Sequence, residues 1–393
     1  MIPSNPNLSA VEEPAIIAVN RWLEGRTFPT ERPLINLCQA APATPPPEPM
    51  RAAMARAITQ RADVHLYGPG KGAPDLLAAL AEKSSAIYGA NVAAEDIFIT
   101  AGCNQAFCVA ISSLCGPGDA VMLPYPWYFN HKMWLDMNAI DCVPLPCEGA
   151  MLPDPEAARS LMTDKVKAIV LVTPNNPTGA EYPNDLLQDF YDLAKANSAA
   201  LVVDETYRDF HSGDGAPHTL FQRPDWQDVL IQLYSFSKAY RMTGHRVGSI
   251  IAGGRFLTEV EKYMDALVIC TNGLAQAGAA FGLEQLDDFV AGERAEYLRR
   301  KAALAAGFAA HLPDWQIHGQ GAYFAWVTPP FGTDSEAAAR RLLDEQSILV
   351  LPGTMFLPDG ADQGALRVAF ANADVDGIAE VVRRLSAMRG HVA

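Results

Sequence analysis

The segment VLIQLYSFSKAYRMTGHRVG, residues 229–248, joins a short apolar run to a single lysine, Lys238. Residues 229–235 form a continuous run with β-branched and aromatic side chains, which predicts a strand buried on both faces, as in a parallel sheet covered by helices. Lys238 itself stands between Ser237 and Ala239 and has no charged neighbour in sequence. The segment therefore indicates both a fold and a first candidate for chemistry.

Comparable runs recur along the chain and alternate with helical patterns. Strand-like runs are DIFIT, DAVMLP, KAIVLVT, ALVVDE and VGSIIAG, at residues 96–100, 119–124, 167–173, 200–205 and 247–253. Helical patterns lie at residues 47–60, 73–89, 104–115 and 184–197. This alternation predicts an α/β domain with a mainly parallel sheet covered by helices.

The pattern changes beyond about residue 285. There a long helical stretch, 289–312, precedes strand-like runs and helical patterns at 322–328, 335–346, 347–353, 365–371 and 376–390. The proline cluster at 41–49 suits neither a helix nor a central strand, and it sets the N-terminal segment apart. We expect a large domain at 49–285, a smaller α/β domain at 286–393, and an N-terminal segment, 1–48, that packs with the small domain.

The composition limits the classes of function. Of the 393 residues, 49% are apolar and 19% are charged, so a large core is expected. The net charge of −15 argues against a nucleic-acid partner, because an acidic surface repels phosphates. We see no signal peptide and no apolar run long enough for a membrane span. The seven cysteines form no Cys-x-x-Cys pair and the histidines show no metal-ligand spacing, so we expect a cytoplasmic protein with reduced thiols and no metal site.

Polar residues follow three of the predicted strands. Asn176 lies in the turn after 167–173, Asp204 directly follows the apolar residues of ALVVDE, and Lys238 follows the third run. Ligands of open α/β sheets bind at the carboxyl ends of the strands. We therefore expect an amide, a carboxylate and an amine at one edge of the sheet.

These three groups fit one kind of chemistry. An amine with a lowered pKa attacks a carbonyl and forms a Schiff base. A pyridine ring bearing an aldehyde accepts such an amine, and a carboxylate at the ring nitrogen makes the ring an electron sink. A phosphate on that ring would need an arginine, hydroxyls and backbone N–H groups at a helix start. Arg246 and Ser235 lie near the lysine, and Gly102, Cys103 and Asn104 lie between a strand and a helix.

From about Ile35 to its end the chain resembles the pyridoxal-5′-phosphate (PLP) dependent aminotransferases of fold type I, class I/II, a group that includes aspartate and kynurenine aminotransferases. Six motifs occur in the family's order: HLYGPGKGAPDLLAAL, TAGCNQAF, PNNPTG, DETY, SFSKAYRMTGHRVG and LRVAFAN, at residues 65–80, 100–107, 174–179, 204–207, 235–248 and 366–372. The resemblance implies PLP as the cofactor, with amino acids and 2-oxo acids as substrates.

The resemblance also implies roles for single residues. Lys238 would carry the cofactor and move the substrate proton, and Arg367 would bind the substrate's α-carboxylate. Asp204 would pair with the ring nitrogen. The remaining cofactor-binding residues would be Asn176 and Tyr207 at the ring hydroxyl, Tyr128 stacked on the ring, and Gly102, Cys103, Ser235, Ser237 and Arg246 at the phosphate. Tyr67 would reach the phosphate of a neighbouring subunit, which implies a homodimer.

Departures from the family pattern concern the substrate side of the site. Ala40, in LCQAAP, stands where the family usually has glycine, and its methyl group would narrow the pocket. In dicarboxylate-specific branches a cation comes from an arginine shortly before the segment matching CTNGLAQ, residues 270–276, or from a lysine in the phosphate turn. Here DALVIC, residues 265–270, has no arginine, and Asn104 stands at the lysine's place. These departures favour a neutral amino donor, aliphatic or aromatic.

Structural interpretations stand beside the functional ones. Lys238 taken alone would be a surface lysine, Asp204 a helix cap, and Asn176 a turn former. Cys103 would be a turn filler, Tyr128 a core aromatic, and Arg367 an exposed strand arginine. Two other functions remain open at this point. One is β-elimination by a PLP-dependent C–S lyase, and the other is a non-catalytic PLP-binding module.

Overall fold

A computed structural model describes residues 2–388. Its α-helices are α1 (Pro6–Ala10), α2 (Ala15–Arg21), α3 (Glu48–Gln60), α4 (Pro74–Tyr88), α5 (Cys103–Leu114), α6 (Phe129–Met137), α7 (Pro155–Leu161), α8 (Asn184–Ala196), α9 (Trp226–Val229), α10 (Phe236–Ala239), α11 (Gly254–Leu267), α12 (Gly273–Gln285), α13 (Asp287–His311), α14 (Ser335–Gln346) and α15 (Val375–Ser386). Its strands are β1 (Ile35–Asn36), β2 (Ile97–Thr100), β3 (Ala120–Tyr125), β4 (Asp141–Glu148), β5 (Leu152–Pro153), β6 (Val166–Val172), β7 (Ala200–Asp204), β8 (Leu230–Ser235), β9 (Gly248–Ile251), β10 (Gln316–Gly321), β11 (Phe324–Thr328), β12 (Ile348–Leu349), β13 (Leu351–Pro352) and β14 (Leu366–Ala369).

The large sheet has the order β2-β9-β8-β7-β6-β3-β4-β5. Strands β8, β7, β6, β3 and β4 run parallel to one another. Every residue of β2, β7 after its first, β8 and β9 is buried, as expected for strands covered on both faces. The expected α/β class with a mainly parallel large sheet is confirmed.

A second, antiparallel sheet is built from the C-terminal part of the chain. Its order is β10-β11-β14-β13, and the long helix α13 precedes it in the chain. The N-terminal segment reaches this region because β1 pairs in parallel with β12. Both chain ends therefore contribute to one smaller α/β unit.

Several details differ from the sequence-based expectation. Strand β9 runs antiparallel to both of its neighbours, although its apolar run looks like those of the parallel strands. The run 347–353 forms two short strands in different sheets, β12 and β13. No strand was expected at β4, which contains Pro144 and Pro146. It lies next to the edge strand β5, and near the edge of a sheet the N–H group that proline lacks is not needed.

A helix begins inside the proline cluster of residues 41–49, close to the start of the helical pattern at 47–60. Helix α3 begins at Glu48, with Pro47 as its N-cap residue and Pro49 in its first turn. Proline is accepted there, because the first N–H groups of a helix have no partner within the helix. The last helix ends at Ser386, and the final residues of its expected range, 389–390, lie outside the described residues.

The sheet brings three strand ends to one place. Val172 of β6 is level with Asp204 of β7, and Asp204 is level with Leu233 of β8. Turns that leave these strands in the same direction carry Asn176, the DETY sequence and Lys238. The shared edge expected from the sequence is therefore present.

Candidate active site

A cavity of about 270 Å³ opens at this edge of the sheet. The residues expected to bind cofactor or substrate that line it are Ala40, Cys103, Tyr128, Asn176, Asp204, Tyr207, Ser235, Ser237, Lys238, Arg246 and Arg367. They come from strand ends, from the start of α5, and from β14 of the second sheet. Only the tertiary fold brings residues so distant in sequence to one cavity.

Lys238 lies on the single turn of α10, just beyond β8. Ser235 caps this turn, since its Oγ accepts the Ser237 N–H at 3.2 Å. The Lys238 Nζ donates to the carbonyl oxygen of Ala40 at 2.6 Å. Burial, together with the positive charges of Arg367 and Arg246, lowers the pKa of Lys238 to about 8. About a tenth of the amine is therefore neutral at pH 7, far more than for a lysine of ordinary pKa, and able to act as a nucleophile.

Asp204 is buried and its carboxylate is held on both sides. Its Oδ1 accepts the Thr206 N–H at 2.9 Å, and its Oδ2 lies 3.3 Å from Nε2 of His131. Burial acts to raise the pKa of Asp204, but the contacts with His131 and Thr206 outweigh it and hold the pKa below its usual value. Asp204 is therefore an anion that faces the cavity.

His131 was not identified from the sequence. It lies in α6 with 2% of its surface exposed, and its ring stacks on Phe107 at 3.7 Å between centroids. The sequence signal, a histidine three residues after Tyr128, is too common to single it out. Its contact with Asp204 depends on α6 lying beside the end of β7, which no local pattern predicts.

The turn between β2 and α5 forms an anion cradle with Arg246. Gly102 has a φ of +89°, and a Cβ placed on it would lie 2.2 Å from Nη2 of Arg246. Arg246 donates from Nη1 to the Ser237 hydroxyl at 3.2 Å and to the Thr243 carbonyl at 3.0 Å. The first N–H groups of α5, which begins at Cys103, have no partners within the helix. A guanidinium, hydroxyls and a helix start therefore converge where a phosphate would bind.

Arg367 lies on β14 and is 2% exposed. It donates from Nη1 to Asn176 Oδ1 at 3.0 Å and from Nη2 to the Cys38 carbonyl, whereas its buried Nε has no hydrogen-bond partner within residues 2–388. Burial lowers its pKa to about 10, partly offset by Tyr207 and Cys38. A buried guanidinium with an unused donor is suited to binding a carboxylate.

Asn176 and Tyr128 have clear hydrogen-bonding roles at the cavity wall. Asn176 uses Oδ1 for Arg367, which leaves its Nδ2 free to donate to a ligand. The Tyr128 hydroxyl accepts from Asn130 at 3.1 Å and donates to Asn104 Oδ1 at 3.2 Å. These bonds fix the Tyr128 ring, so that its face can cover a planar ligand.

Two of the expected residues do not line the cavity. Gly102 is not part of the lining, but it lies against the guanidinium of Arg246, which is. Tyr67 is 82% exposed and lies away from the cavity of its own chain.

Other lining residues were not identified as site residues from the sequence. They are Ile16, Gln39, Ala41, Phe129, Val172, Thr206 and Thr243, together with Asn104, which the sequence placed in the phosphate turn without assigning it a role. Ile16 comes from α2, far from every motif. An isoleucine on a short N-terminal helix carries no sequence signal for a binding site.

The sequence profile of the aminotransferase class I and II family matches residues 32–385. This chain belongs to that family. An aspartate/prephenate aminotransferase of Thermus thermophilus is 30% identical over 399 residues, covering 98% of this chain and 98% of that protein. An aromatic aminotransferase of Arabidopsis thaliana is 31% identical over 333 residues, covering 82% of this chain and 80% of that protein.

Solved structures agree. The aspartate aminotransferase of Thermus thermophilus with maleate matches with a TM-score of 0.89 at 27% identity, covering 98% of this chain and 100% of that one. The chain is therefore a PLP-dependent aminotransferase of fold type I, and the lyase and the non-catalytic module are not favoured.

The residues of the cavity fit PLP. An amine of lowered pKa lies beside an anionic carboxylate, and the cradle of Gly102 and Arg246 would be filled by any larger side chain at position 102. Among residues 2–388 no helix is both long enough and apolar enough to span a bilayer.

Proposed function

We propose that this aminotransferase takes its amino group from a neutral L-amino acid with an aliphatic or aromatic side chain and passes it to a 2-oxo acid in a ping-pong reaction. The observation that carries the proposal is the charge of the cavity lining. Among the lining residues that the described chain supplies, the cationic side chains are Lys238, Arg246 and Arg367.

Each of these cations has a task that leaves none for a side-chain carboxylate. Arg246 faces the phosphate cradle and Lys238 is the nucleophile. Arg367, with its free Nε, suits the α-carboxylate that every substrate carries. A second carboxylate would be buried without a partner, which is costly.

The wall near Arg367 is apolar. Ile16 and Phe129 line the cavity, and Phe129 packs on Phe356 at 5.6 Å between ring centroids. The Arg367 guanidinium lies over the same Phe356 ring at 5.1 Å. An apolar side chain placed next to the α-carboxylate would contact this wall and gain burial energy.

We assign the remaining tasks as follows. PLP, when bound, supplies an electron sink for the charge left at the substrate's α-carbon. Asp204 holds a proton at the ring nitrogen, and Tyr128 covers one face of the ring. Asn176 and Tyr207 bind the ring hydroxyl, while Gly102, Cys103, Ser235, Ser237 and Arg246 hold the phosphate. The Lys238 Nζ carries the proton of the α-carbon, and Ala40 limits the space beside the substrate.

The relatives' names support amino transfer and differ in substrate. One relative is called an aromatic aminotransferase and another an aspartate/prephenate aminotransferase. The aromatic name agrees with the wall of Ile16 and Phe129. The aspartate name would require a further cation, and Asn104 stands where a dicarboxylate branch has a lysine.

The test mixes the PLP-loaded enzyme with single L-amino acids and follows the loss of its visible absorption band without any oxo acid. We expect phenylalanine or leucine to react with a higher kcat/KM than aspartate. Asparagine, which matches aspartate in size but lacks the charge, should react faster than aspartate. An aspartate preference would overturn the substrate proposal, and release of ammonia with an oxo acid in place of band loss would overturn amino transfer.

The variant Asn104→Lys provides a matched gain of function. An added ammonium at the start of α5 would pair with the side-chain carboxylate of aspartate, and such a cation near a buried carboxylate is worth a few kcal/mol. The kcat/KM for aspartate should therefore rise, whereas that for leucine, which has no charge to pair, should stay within about tenfold. Asn104→Met, which has similar length but no charge, is the control.

We also propose a homodimer in which Tyr67 reaches the phosphate site of the partner copy. Tyr67 and three apolar residues, Leu66, Leu267 and Ile269, are exposed in the single chain, the latter three at 70%, 59% and 45%. Gly70 lies beside the Ile269 carbonyl, so the loop that carries Leu66 and Tyr67 borders the segment after α11. Exposed apolar residues on neighbouring segments are typical of protein interfaces.

We also propose the domain division and the cellular location that the sequence predicts. The division into 1–48, 49–285 and 286–393 is supported by the separate sheets and by the pairing of β1 with β12. A cytoplasmic location is supported by seven cysteines that form no disulfide within residues 2–388.

A further inference from the structure

A buried polar cluster lies next to the cofactor site without lining the cavity. Its members are Tyr88, Glu205, Arg208, Asp209, His218, Gln232 and Tyr234. Glu205, His218 and Gln232 are fully buried, and Arg208 is 4% exposed. Burying so many charged and polar groups is costly, and the cost is offset only by ion pairs and hydrogen bonds of good geometry.

Glu205 is the centre of the cluster. Its Oε2 accepts from the Tyr88 hydroxyl at 2.5 Å and from Gln232 Nε2 at 2.8 Å. The Nε2 of His218 lies 3.3 Å from the same oxygen. His218 Nδ1 accepts the Leu220 N–H at 3.3 Å, so the ring proton lies on Nε2, where it faces Glu205.

Arg208 continues the cluster on the far side of Tyr88. It donates from Nη1 to the Tyr88 hydroxyl at 3.4 Å, and its guanidinium lies 4.1 Å from the centroid of the Tyr234 ring. The Tyr234 hydroxyl donates to Asp209 at 2.7 Å. Burial acts to raise the pKa of Glu205, but His218, Arg208 and Tyr88 outweigh it and hold the pKa below its usual value.

The cluster connects the two strand ends that carry the central cofactor groups. Glu205 immediately follows Asp204 and precedes Tyr207 by two residues, and its N–H donates to the Leu233 carbonyl of β8 at 2.9 Å. Gln232 and Tyr234 belong to β8, which ends at Ser235 just before Lys238. The hydrogen bonds of Glu205 therefore join the turn bearing Asp204 to the strand that leads to Lys238.

We propose that Tyr88 and Glu205 are positioning residues, whose hydrogen-bonded cluster fixes Asp204 relative to Lys238 and thereby sets the affinity and electronic state of the bound cofactor. Neither residue touches the cavity; they act through the backbone on either side of Glu205. The inference rests on the PLP site and not on the choice of amino donor.

The test compares Tyr88→Phe with Tyr191→Phe. Each change removes, from a buried ring, a hydroxyl that donates to a carboxylate. Tyr88 donates to Glu205 at 2.5 Å, and Tyr191 donates to Asp225 at 2.8 Å. Tyr191 lies on α8 and lines no part of the cavity. Thermal unfolding of the cofactor-free proteins measures the structural cost of each change, and we expect both midpoints to fall.

The cofactor readouts separate the two variants. We expect Tyr88→Phe, but not Tyr191→Phe, to raise the PLP dissociation constant about tenfold, the lower end of the effect of residues that orient direct ligands. The pH at which the visible absorption band is half converted should be higher in Tyr88→Phe. A displaced Asp204 would leave the pyridine ring of the cofactor less electron-poor, and the nitrogen that joins Lys238 to the cofactor would then be more basic. In kinetics, kcat should fall more than KM rises.

The proposal fails if Tyr88→Phe matches Tyr191→Phe in PLP affinity and in the midpoint of the band. If Tyr88→Phe does not yield folded protein, Gln232→Met, which removes the other donor to Glu205 Oε2, is judged by the same two readouts. His218→Gln retains an N–H donor for Glu205 and should stay close to the parent enzyme. Both cofactor readouts are taken without substrate, so a wrong assignment of the amino donor would not alter them.

Discussion

At the scale of single residues, Lys238 shows how burial and charge produce a nucleophile. Its amine lies among Ala40, Tyr207 and Asp204 at the bottom of the cavity, with Arg367 and Arg246 as cationic neighbours. Loss of hydration disfavours the ammonium, and two positive charges add to this effect. Asp204 opposes the shift, but its effect is smaller.

The first prediction concerns the pH dependence of cofactor attachment. Because the lysine pKa is about 8, the rate at which the cofactor-free enzyme develops its visible band with PLP should rise with pH and level off above that value. Arg367→Leu removes a positive charge that lowers this pKa, so the midpoint should move upward. Arg367→Lys retains the charge and should keep the midpoint, although both variants lose carboxylate binding. Equal midpoints in the two variants would contradict the electrostatic explanation.

The second prediction concerns His131. In His131→Phe the burial of Asp204 is no longer offset by the histidine, so the pKa of Asp204 should rise and its negative charge should weaken. We expect kcat to fall by about 10- to 100-fold, as for other residues that orient a direct ligand. His131→Gln keeps an N–H donor and should recover most of the loss. Unchanged kcat in His131→Phe would show that the histidine only fills space.

At the scale of elements, the turn from β2 into α5 is central to the phosphate site that we propose. Gly102 adopts a φ of +89° and lies against Arg246, so it requires both the backbone freedom and the small volume of glycine. The helix start supplies N–H groups, and the turn after β8 supplies Ser235 and Ser237. Neither element makes the site alone.

The third prediction separates the two requirements at Gly102. Gly102→Ala should lose about 1–3 kcal/mol of stability, because a φ of +89° with a ψ of 166° is a backbone conformation almost restricted to glycine. It should also lose most of the PLP affinity, because its Cβ would displace the Arg246 guanidinium. Gly118→Ala is the control: its φ is +86°, and nothing lies within 4 Å of the added Cβ. Titration with PLP and thermal unfolding of the cofactor-free variants check this. Similar PLP affinity in both variants would mean that the cradle tolerates a methyl group.

At the scale of the whole molecule, the position of Tyr67 matters most. It is 82% exposed in a single chain and away from the cavity, although the family resemblance gives it a phosphate contact. The contact is then possible only if a second copy presents its own Tyr67. The exposed apolar residues beside it would be covered by the same association.

The fourth prediction is that two variants, each lacking one residue of the proposed site, complement each other in a mixed dimer. Tyr67→Ala impairs the site of the partner, whereas Lys238→Ala abolishes the site of its own chain. A heterodimer of the two variants has one complete site, made of Lys238 from one chain and Tyr67 from the other. Mixing and reassociating the variants should therefore restore up to about a quarter of the parent activity, following the statistics of a symmetric dimer.

The control for this experiment mixes Tyr67→Ala with the double variant Tyr67→Ala, Lys238→Ala, a pair that has no complete site in any combination. Restoration in the control, or none in the complementing pair once size measurements show that heterodimers form, would refute the crossing of Tyr67.

Residue types and local patterns were enough to predict most strands of the large sheet, the order of the motifs and the main polar residues. Short, largely apolar runs such as 230–235 favour buried strands, and the groups that follow them are then expected at the strand ends. The roles of Lys238, Asp204 and Arg246 are those that the family resemblance implies, and their residue types agree with it, because a carbonyl cofactor with a phosphate needs an amine, an anion and a cation.

Only the tertiary structure decided which side chains meet. His131, Ile16 and the cluster around Glu205 come from segments that share no motif, and their contacts depend on how α6, α2 and α4 pack against the sheet. The reversed direction of β9 and the strand β4 with its two prolines were decided in the same way, by neighbours in the sheet. The physical reason is that side-chain type and local periodicity act over a few residues, whereas burial, pairing and electrostatic contact act between residues that the sequence keeps far apart.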